Sequence, residues 1–297
     1  MKKIIPCLFC VCLIKAVLAQ TTGKIIEQQV IKSNILGKEV RYTIYLPPDY
    51  TSSERTYPVV YLLHGYTDDN TGWLQFGEIN RYTNKAIADG TIPPMIIVMP
   101  NGDSSWHINS YDGKEKYEDF FIQEFMPAIE KTYHIKAEKK YRGIAGLSMG
   151  GYGALIYSLK YPDLFAATGA LSAAVRSDDQ IINLSEDEWR NTFGQLYGRV
   201  YGRDLKGRER LTKTWYDNSV LKLVETKSLD DLKKVRYWID CGDDDYLTIG
   251  NCLLQIALIE KKVPHELRIR DGAHNWTYWR TSITDALQFI GASFHQQ

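Results

Sequence analysis

Gly146-Leu147-Ser148-Met149-Gly150 decides the reading of this chain. It is a G-x-S-x-G pentapeptide, preceded by the strand-like Tyr141-Arg142-Gly143-Ile144-Ala145 and followed by a helix-like run from Tyr152 to Lys160. A serine on so sharp a strand-to-helix turn is held in a strained backbone conformation, with its hydroxyl projecting above the sheet. The glycines are needed because side chains there would collide with the neighbouring strand and helix. The pentapeptide alone is common. In this context it predicts a serine nucleophile at residue 148.

Working outward, strands and helices alternate. Val40 to Leu46 reads as an antiparallel strand with one buried face, whereas Tyr57–Leu63 and Met95–Met99 are continuous apolar runs, the pattern of strands covered on both faces. Glu118 to Tyr133 reads as a helix kinked near Pro127. Leu164–Leu171, Val235–Asp240 and Glu266–Arg270 read as further strands, with helices over Cys252–Lys261 and Thr281–Phe294. Such alternation requires a mostly parallel sheet wrapped on both sides. Residues 174–234 carry no buried-strand pattern, only polar helical pieces with Trp189, Phe193, Tyr197, Tyr201, Trp215 and Tyr216. They form either a cap over the carboxyl ends of the strands, where ligands bind, or a surface excursion anchored by its aromatics.

At 297 residues, 44% hydrophobic and 24% charged, the chain can bury one large α/β core. Lys2-Lys3, the apolar Ile4–Ile14 and the small-residue site Val17-Leu18-Ala19 predict a secretory signal peptide over residues 1–19, leaving one domain over 20–297. The apolar run is too short to span a membrane, and Cys7, Cys10 and Cys12 lack a lipid-anchor setting, so no membrane anchor is expected. Loss of Lys2, Lys3 and Lys15 takes 36 basic residues to 33 against 36 acidic, a net charge of −3, which excludes a nucleic-acid binder. Cys241 and Cys252 remain, and in an oxidising compartment they could pair or stay as free thiols.

Serine needs a base, and the base an orienting carboxylate, in the chain order Ser, Asp or Glu, His. Of six histidines, His274 sits just past the last strand, where the base must be, whereas His295 is at the fraying end. The acid must follow Val235–Asp240, where Asp243, Asp244 and Asp245 all qualify by spacing. Two backbone N–H donors must hold an oxyanion; Met149, after the serine, and Tyr66, in Leu62-Leu63-His64-Gly65-Tyr66, are the candidates. His64 reads as a structural hydrogen-bonder. No cluster of metal ligands appears, and no cofactor is required.

Together, Tyr61–Gly65, Gly146–Ala154, Asp240–Leu247 and Gly272–Trp279 resemble the esterase D-like branch of the α/β-hydrolases. That branch holds the S-formylglutathione hydrolases, the feruloyl and acetyl-xylan esterases and the mycolyltransferases. The resemblance implies an α/β-hydrolase fold, with a mostly parallel central sheet, helices on both faces and a small cap insertion at about 174–234. In this family the acid directly precedes an aromatic-Leu pair, which selects Asp245 before Tyr246-Leu247. The segment from Asn101 to Tyr111 is similar to a loop beside the active site of the secreted carbohydrate esterases. Asp243-Asp244 departs from the Thr-Glu that relatives often carry. The implied function is a secreted or periplasmic serine carboxylesterase acting on feruloyl or acetyl groups of a polysaccharide such as xylan. Trp106, Trp189 and Trp276 are candidates for contacting the substrate. A promiscuous short-chain esterase, a peptidase and an inactive sugar-binding homologue are the alternatives. Acyl group, polysaccharide and oligomeric state are open at this stage.

Overall fold

The computed structural model describes residues 22–192 and 194–295; the expected leader over 1–19 and Phe193 lie outside them. Eight strands form one sheet: β1 (Lys24–Lys32), β2 (Glu39–Leu46), β3 (Val59–Leu63), β4 (Ile96–Pro100), β5 (Arg142–Leu147), β6 (Ala167–Leu171), β7 (Arg236–Gly242) and β8 (His265–Arg270). Their order is β1-β2-β4-β3-β5-β6-β7-β8. β1 and β2 run antiparallel to their neighbours and the remaining pairs are parallel. This is the α/β-hydrolase architecture that the alternation and the motifs imply.

The apolar runs explain the layers. Along β3, Val59, Tyr61 and Leu63 point into one core cluster and Val60 and Leu62 into the other, the two-residue period of a strand buried on both faces. Four helices matter most here: α1 (Ile79–Ala88), α2 (Met149–Lys160), α3 (Thr248–Glu260) and α4 (Trp276–Ser293). Leu155 and Ile156 of α2 join the first core, with Phe121 and Phe125; Ile79 of α1 and Ile283, Leu287 and Ile290 of α4 fill the second.

Three of the differences from the sequence reading have a clear local cause. β1 is an added edge strand whose middle, Glu27-Gln28-Gln29, hides its pattern; Gln28 sits at φ 55° and the pairing register shifts there, a β-bulge. α4 begins five residues earlier than expected because Asn275 caps it, accepting the Tyr278 N–H at 3.1 Å. The irregularity expected near Pro127 is a π-helical turn over Phe121–Phe125, between the helical pieces Tyr117–Phe120 and Met126–Thr132.

Between β6 and β7, residues 174–234 fold as short helices without a strand. Its residues divide between packing and the cavity. Trp189, Tyr201 and Trp215 are buried anchors, while Arg176 and Tyr197 face a cavity at the carboxyl ends of the strands. Among the described residues, no helix is long and apolar enough to cross a membrane.

Candidate active site

Ser148 lies between β5 and α2 with φ 54° and ψ −116°, a conformation L-residues rarely adopt. Crowding by backbone enforces it. A Cβ on Gly150 would sit 2.4 Å from the Leu63 carbonyl oxygen, and one on Gly146 would sit 2.5 Å from Gly150. The strain, of order 1–3 kcal/mol, is held by the sheet and by the Ser148 N–H bonding the Leu171 carbonyl at 2.9 Å.

Three loops bring their side chains into one line. Ser148 Oγ is 3.0 Å from His274 Nε2, and His274 Nδ1 is 2.8 Å from Asp245 Oδ2. Asp245 Oδ1 accepts the Leu247 N–H at 2.8 Å, which fixes the carboxylate in plane. Asp245 is buried, and burial alone would raise its pKa. The hydrogen bond and charge of His274, with the Leu247 N–H and Ser172, outweigh burial and hold it below the usual carboxylate value. An ionised carboxylate on Nδ1 leaves Nε2 as the accepting nitrogen toward the serine. The arrangement can therefore draw a proton from Ser148 and return it to a leaving group.

Of the three adjacent aspartates, only Asp245 reaches the histidine. Asp243 and Asp244 are exposed, and Asp243 Oδ1 accepts the N–H groups of Asp244 and Gly272, each at 3.1 Å, tying the acid loop to the histidine loop. Asp243, Asp244 and Asp271 bring carboxylate oxygens within 4.8 Å of one another on the open surface.

The oxyanion candidates flank the serine. Tyr66 lines the cavity and Met149 opens α2, where a first-turn N–H has no intrahelical acceptor. His64 anchors this loop: its Nδ1 donates to the Gly65 carbonyl (2.7 Å) and its Nε2 accepts the Gly102 N–H (2.8 Å). Burial lowers its pKa and keeps the ring neutral. His64 is thus a strut between two loops.

The second of those loops is strained. Trp106 and His107 are both left-handed, each at φ 57°. Trp106 lines the cavity and stacks on Tyr197, with ring centres 4.4 Å apart. Trp276, half-buried, also lines the cavity and packs against Trp73 and Trp279. Trp189 does not reach the cavity. It is fully buried, donates its indole N–H to the Gly202 carbonyl at 3.0 Å, and carries Arg210 over its ring at 4.6 Å, so it packs the cap.

Sequence reasoning missed Ser172, Asp68, Arg176 and Trp279. Ser172, at φ 45° and buried, accepts the Trp279 indole N–H at 2.9 Å and also hydrogen-bonds Asp245; its place at the end of β6 was the available signal. Arg176 lies beside the Tyr197 hydroxyl, and Trp279 meets the His274 ring edge-on at 4.8 Å. Cys241 and Cys252 are both free thiols, and burial pushes Cys241 up to about 12.

Fold and site define the chain as an α/β-hydrolase of the esterase type. The Esterase family model matches residues 33–290, and the chain belongs to that family. It is 31% identical over 261 residues to an esterase of Mycobacterium tuberculosis, covering 82% of this chain and 54% of the relative, so the chain spans about half that protein's length. It is 34% identical over 163 residues to an endo-1,4-beta-xylanase/feruloyl esterase of Xylanibacter ruminicola, covering 52% of this chain and 22% of that protein. A solved ferulic acid esterase superposes with a TM-score of 0.75 at 33% identity, covering 92% of this chain and 99% of the other.

Proposed function

We propose that this chain is a serine carboxylesterase that removes acyl groups, feruloyl in the first place, from plant cell-wall polysaccharides such as xylan or their oligosaccharides. The observation that carries the reading is the Ser148–His274–Asp245 line opening into an aromatic-walled cavity of about 260 Å³. That volume is below the roughly 300–1,000 Å³ of sites for drug-sized ligands. It suits one acyl group inside, with the saccharide left at the mouth. The similarity to a ferulic acid esterase and to a protein named for xylanase and feruloyl esterase activities supports the choice of substrate.

In this reading His274 Nε2 takes the Ser148 proton as Oγ attacks the ester carbonyl. The N–H groups of Met149 and Tyr66 hold the oxyanion, and each such donor is worth about 3 kcal/mol of barrier. The alcohol leaves with the proton from His274, Asp245 holds the imidazole tautomer, and water hydrolyses the acyl-enzyme by the reverse path. Trp106 and Tyr197 form the ring-binding wall.

The test is a hydrolysis panel on purified protein: feruloylated and acetylated xylan fragments beside a plain butyrate ester, with fluorophosphonate labelling of parent and Ser148→Ala. Turnover should favour the feruloylated fragment, and labelling should vanish in the variant. Preference for butyrate would remove the polysaccharide assignment, and absence of labelling in the folded parent would remove the serine mechanism. Export, which the leader-like residues 1–19 support, predicts a mature protein that begins at Gln20 on N-terminal sequencing of the secreted form.

A further inference from the structure

One charged group in the cavity has no role in the chemistry above. Asp68 lies in the loop that carries Tyr66, lines the cavity and is half-buried. Its side chain has no hydrogen-bond or ion-pair partner among the described residues, although its neighbour Asp69 is used locally, accepting from the Thr71 N–H and hydroxyl. A Cβ placed on Gly65 would stand 3.6 Å from Asp68 Oδ2 and 3.6 Å from Ser148 Cβ, so the carboxylate sits at the shoulder of the serine. Burial, then the charge of Asp69, push its pKa up to about 6, which marks a site that does little for a lone anion. Trp276 lines the same cavity. The aromatic surface continues outward from Trp276 to Phe76, whose ring centre is 5.9 Å away and which is 50% exposed.

We propose that Asp68 selects the alcohol half of the ester: its two oxygens accept hydrogen bonds from neighbouring hydroxyls of a sugar whose ring lies against Trp276 and Phe76. The assignment rests on the esterase reading above and names the part of the substrate that reading leaves at the mouth. An apolar acyl chain offers nothing to a carboxylate, and burying an unpaired charge beside it is unfavourable. A sugar offers adjacent O–H donors, and hydrogen bonds to an ionised acceptor are about twice as strong as neutral ones. The Trp276–Phe76 surface at the same cavity supplies the apolar face on which a sugar ring packs. Trp106, Tyr197 and Arg176, from the 101–107 loop and the cap, also line the cavity.

The experiment compares two esters of one acid, feruloyl arabinose and methyl ferulate, on the parent, Asp68→Ala and the isosteric Asp68→Asn. The readout is the ratio of kcat/KM for the sugar ester over the methyl ester. The parent should favour the sugar ester, and Asp68→Ala should lower that ratio about tenfold or more, mainly through KM. Asp68→Asn, which keeps one accepting oxygen and the shape of the loop, should fall between them. A parent that prefers the sugar ester, with variants that keep its ratio, would overturn the role of Asp68 and leave the substrate reading standing. That pattern also covers a disturbed oxyanion loop or an Asp68 that meets the ferulate phenol, since both lower the two rates together. A parent without preference for the sugar ester would overturn the substrate reading and, with it, this assignment.

Discussion

Asp245→Asn isolates the charge that orients the base, because the amide matches the carboxylate in size and leaves packing alone. Asp245 accepts from His274 Nδ1 at 2.8 Å and from the Leu247 N–H at 2.8 Å, and also hydrogen-bonds Ser172. An amide has one accepting oxygen and one donating nitrogen. With the oxygen kept on Leu247, the NH₂ faces Nδ1, which must then present its lone pair, and the imidazole proton moves to Nε2. That ring cannot take a proton from Ser148. With the amide flipped, donor meets donor at Leu247, and a buried N–H without an acceptor costs roughly 1–3 kcal/mol. The first arrangement prevails, and kcat should fall about 10⁴-fold, the scale of this substitution in Ser–His–Asp hydrolases, or about 5.5 kcal/mol of barrier. Initial rates on p-nitrophenyl acetate near neutral pH measure it, with a thermal melt to show that the variant is folded. Asp243→Asn is the control: the oxygen that accepts from Asp244 and Gly272 survives in the amide, so its rate should stay within about threefold of the parent. A folded Asp245→Asn that loses less than about tenfold, or an Asp243→Asn that loses more than it does, would refute this account of the acid.

Further expectations follow from strain, crowding and charge. Ser148→Gly should abolish turnover yet raise stability by about 1 kcal/mol in a denaturant melt, because glycine adopts φ 54° without a Cβ clash and gives back part of that gain as chain entropy. Gly150→Ala should destabilise by about 3 kcal/mol or more, or prevent folding, since its Cβ would meet the Leu63 and His64 carbonyl oxygens at 2.4 and 2.6 Å; soluble yield and melting temperature report it. Asp68→Asn should stabilise the fold at pH 8 and not at pH 4, read from denaturant midpoints at the two pH values. A carboxyl raised from 3.8 to about 6 leaves the folded protein holding more protons than the unfolded chain in that window, so stability falls as pH rises through it. Counting the water that still reaches the group, the gain at pH 8 should be about 1 kcal/mol.

The parts of the fold that sequence exposes are those where one force dominates. β3 and β4 are buried on both faces, so their apolar runs are continuous and their placement is close to the expected one. β1 escapes because its faces are largely exposed and its bulge breaks the alternation. Ser148 and His274 are legible from chain order, whereas Asp243, Asp244 and Asp245 are chemically identical in sequence. What separates them is the turn after β7, which buries one and leaves two in water. The cap resists for a different reason. Trp189 and Tyr197 have the same aromatic character, and only packing sends one into the core and the other to the cavity wall.

His64 reaches from the segment that offers the Tyr66 amide to Gly102, at the root of the bend that presents Trp106. In the proposed mechanism, rate and selectivity therefore share a mechanical linkage. On that proposal, an engineer who reshapes residues 103–107 to admit a bulkier acid also disturbs the segment that carries the Tyr66 amide, so broader scope and undiminished speed become competing goals unless the imidazole brace is rebuilt with them.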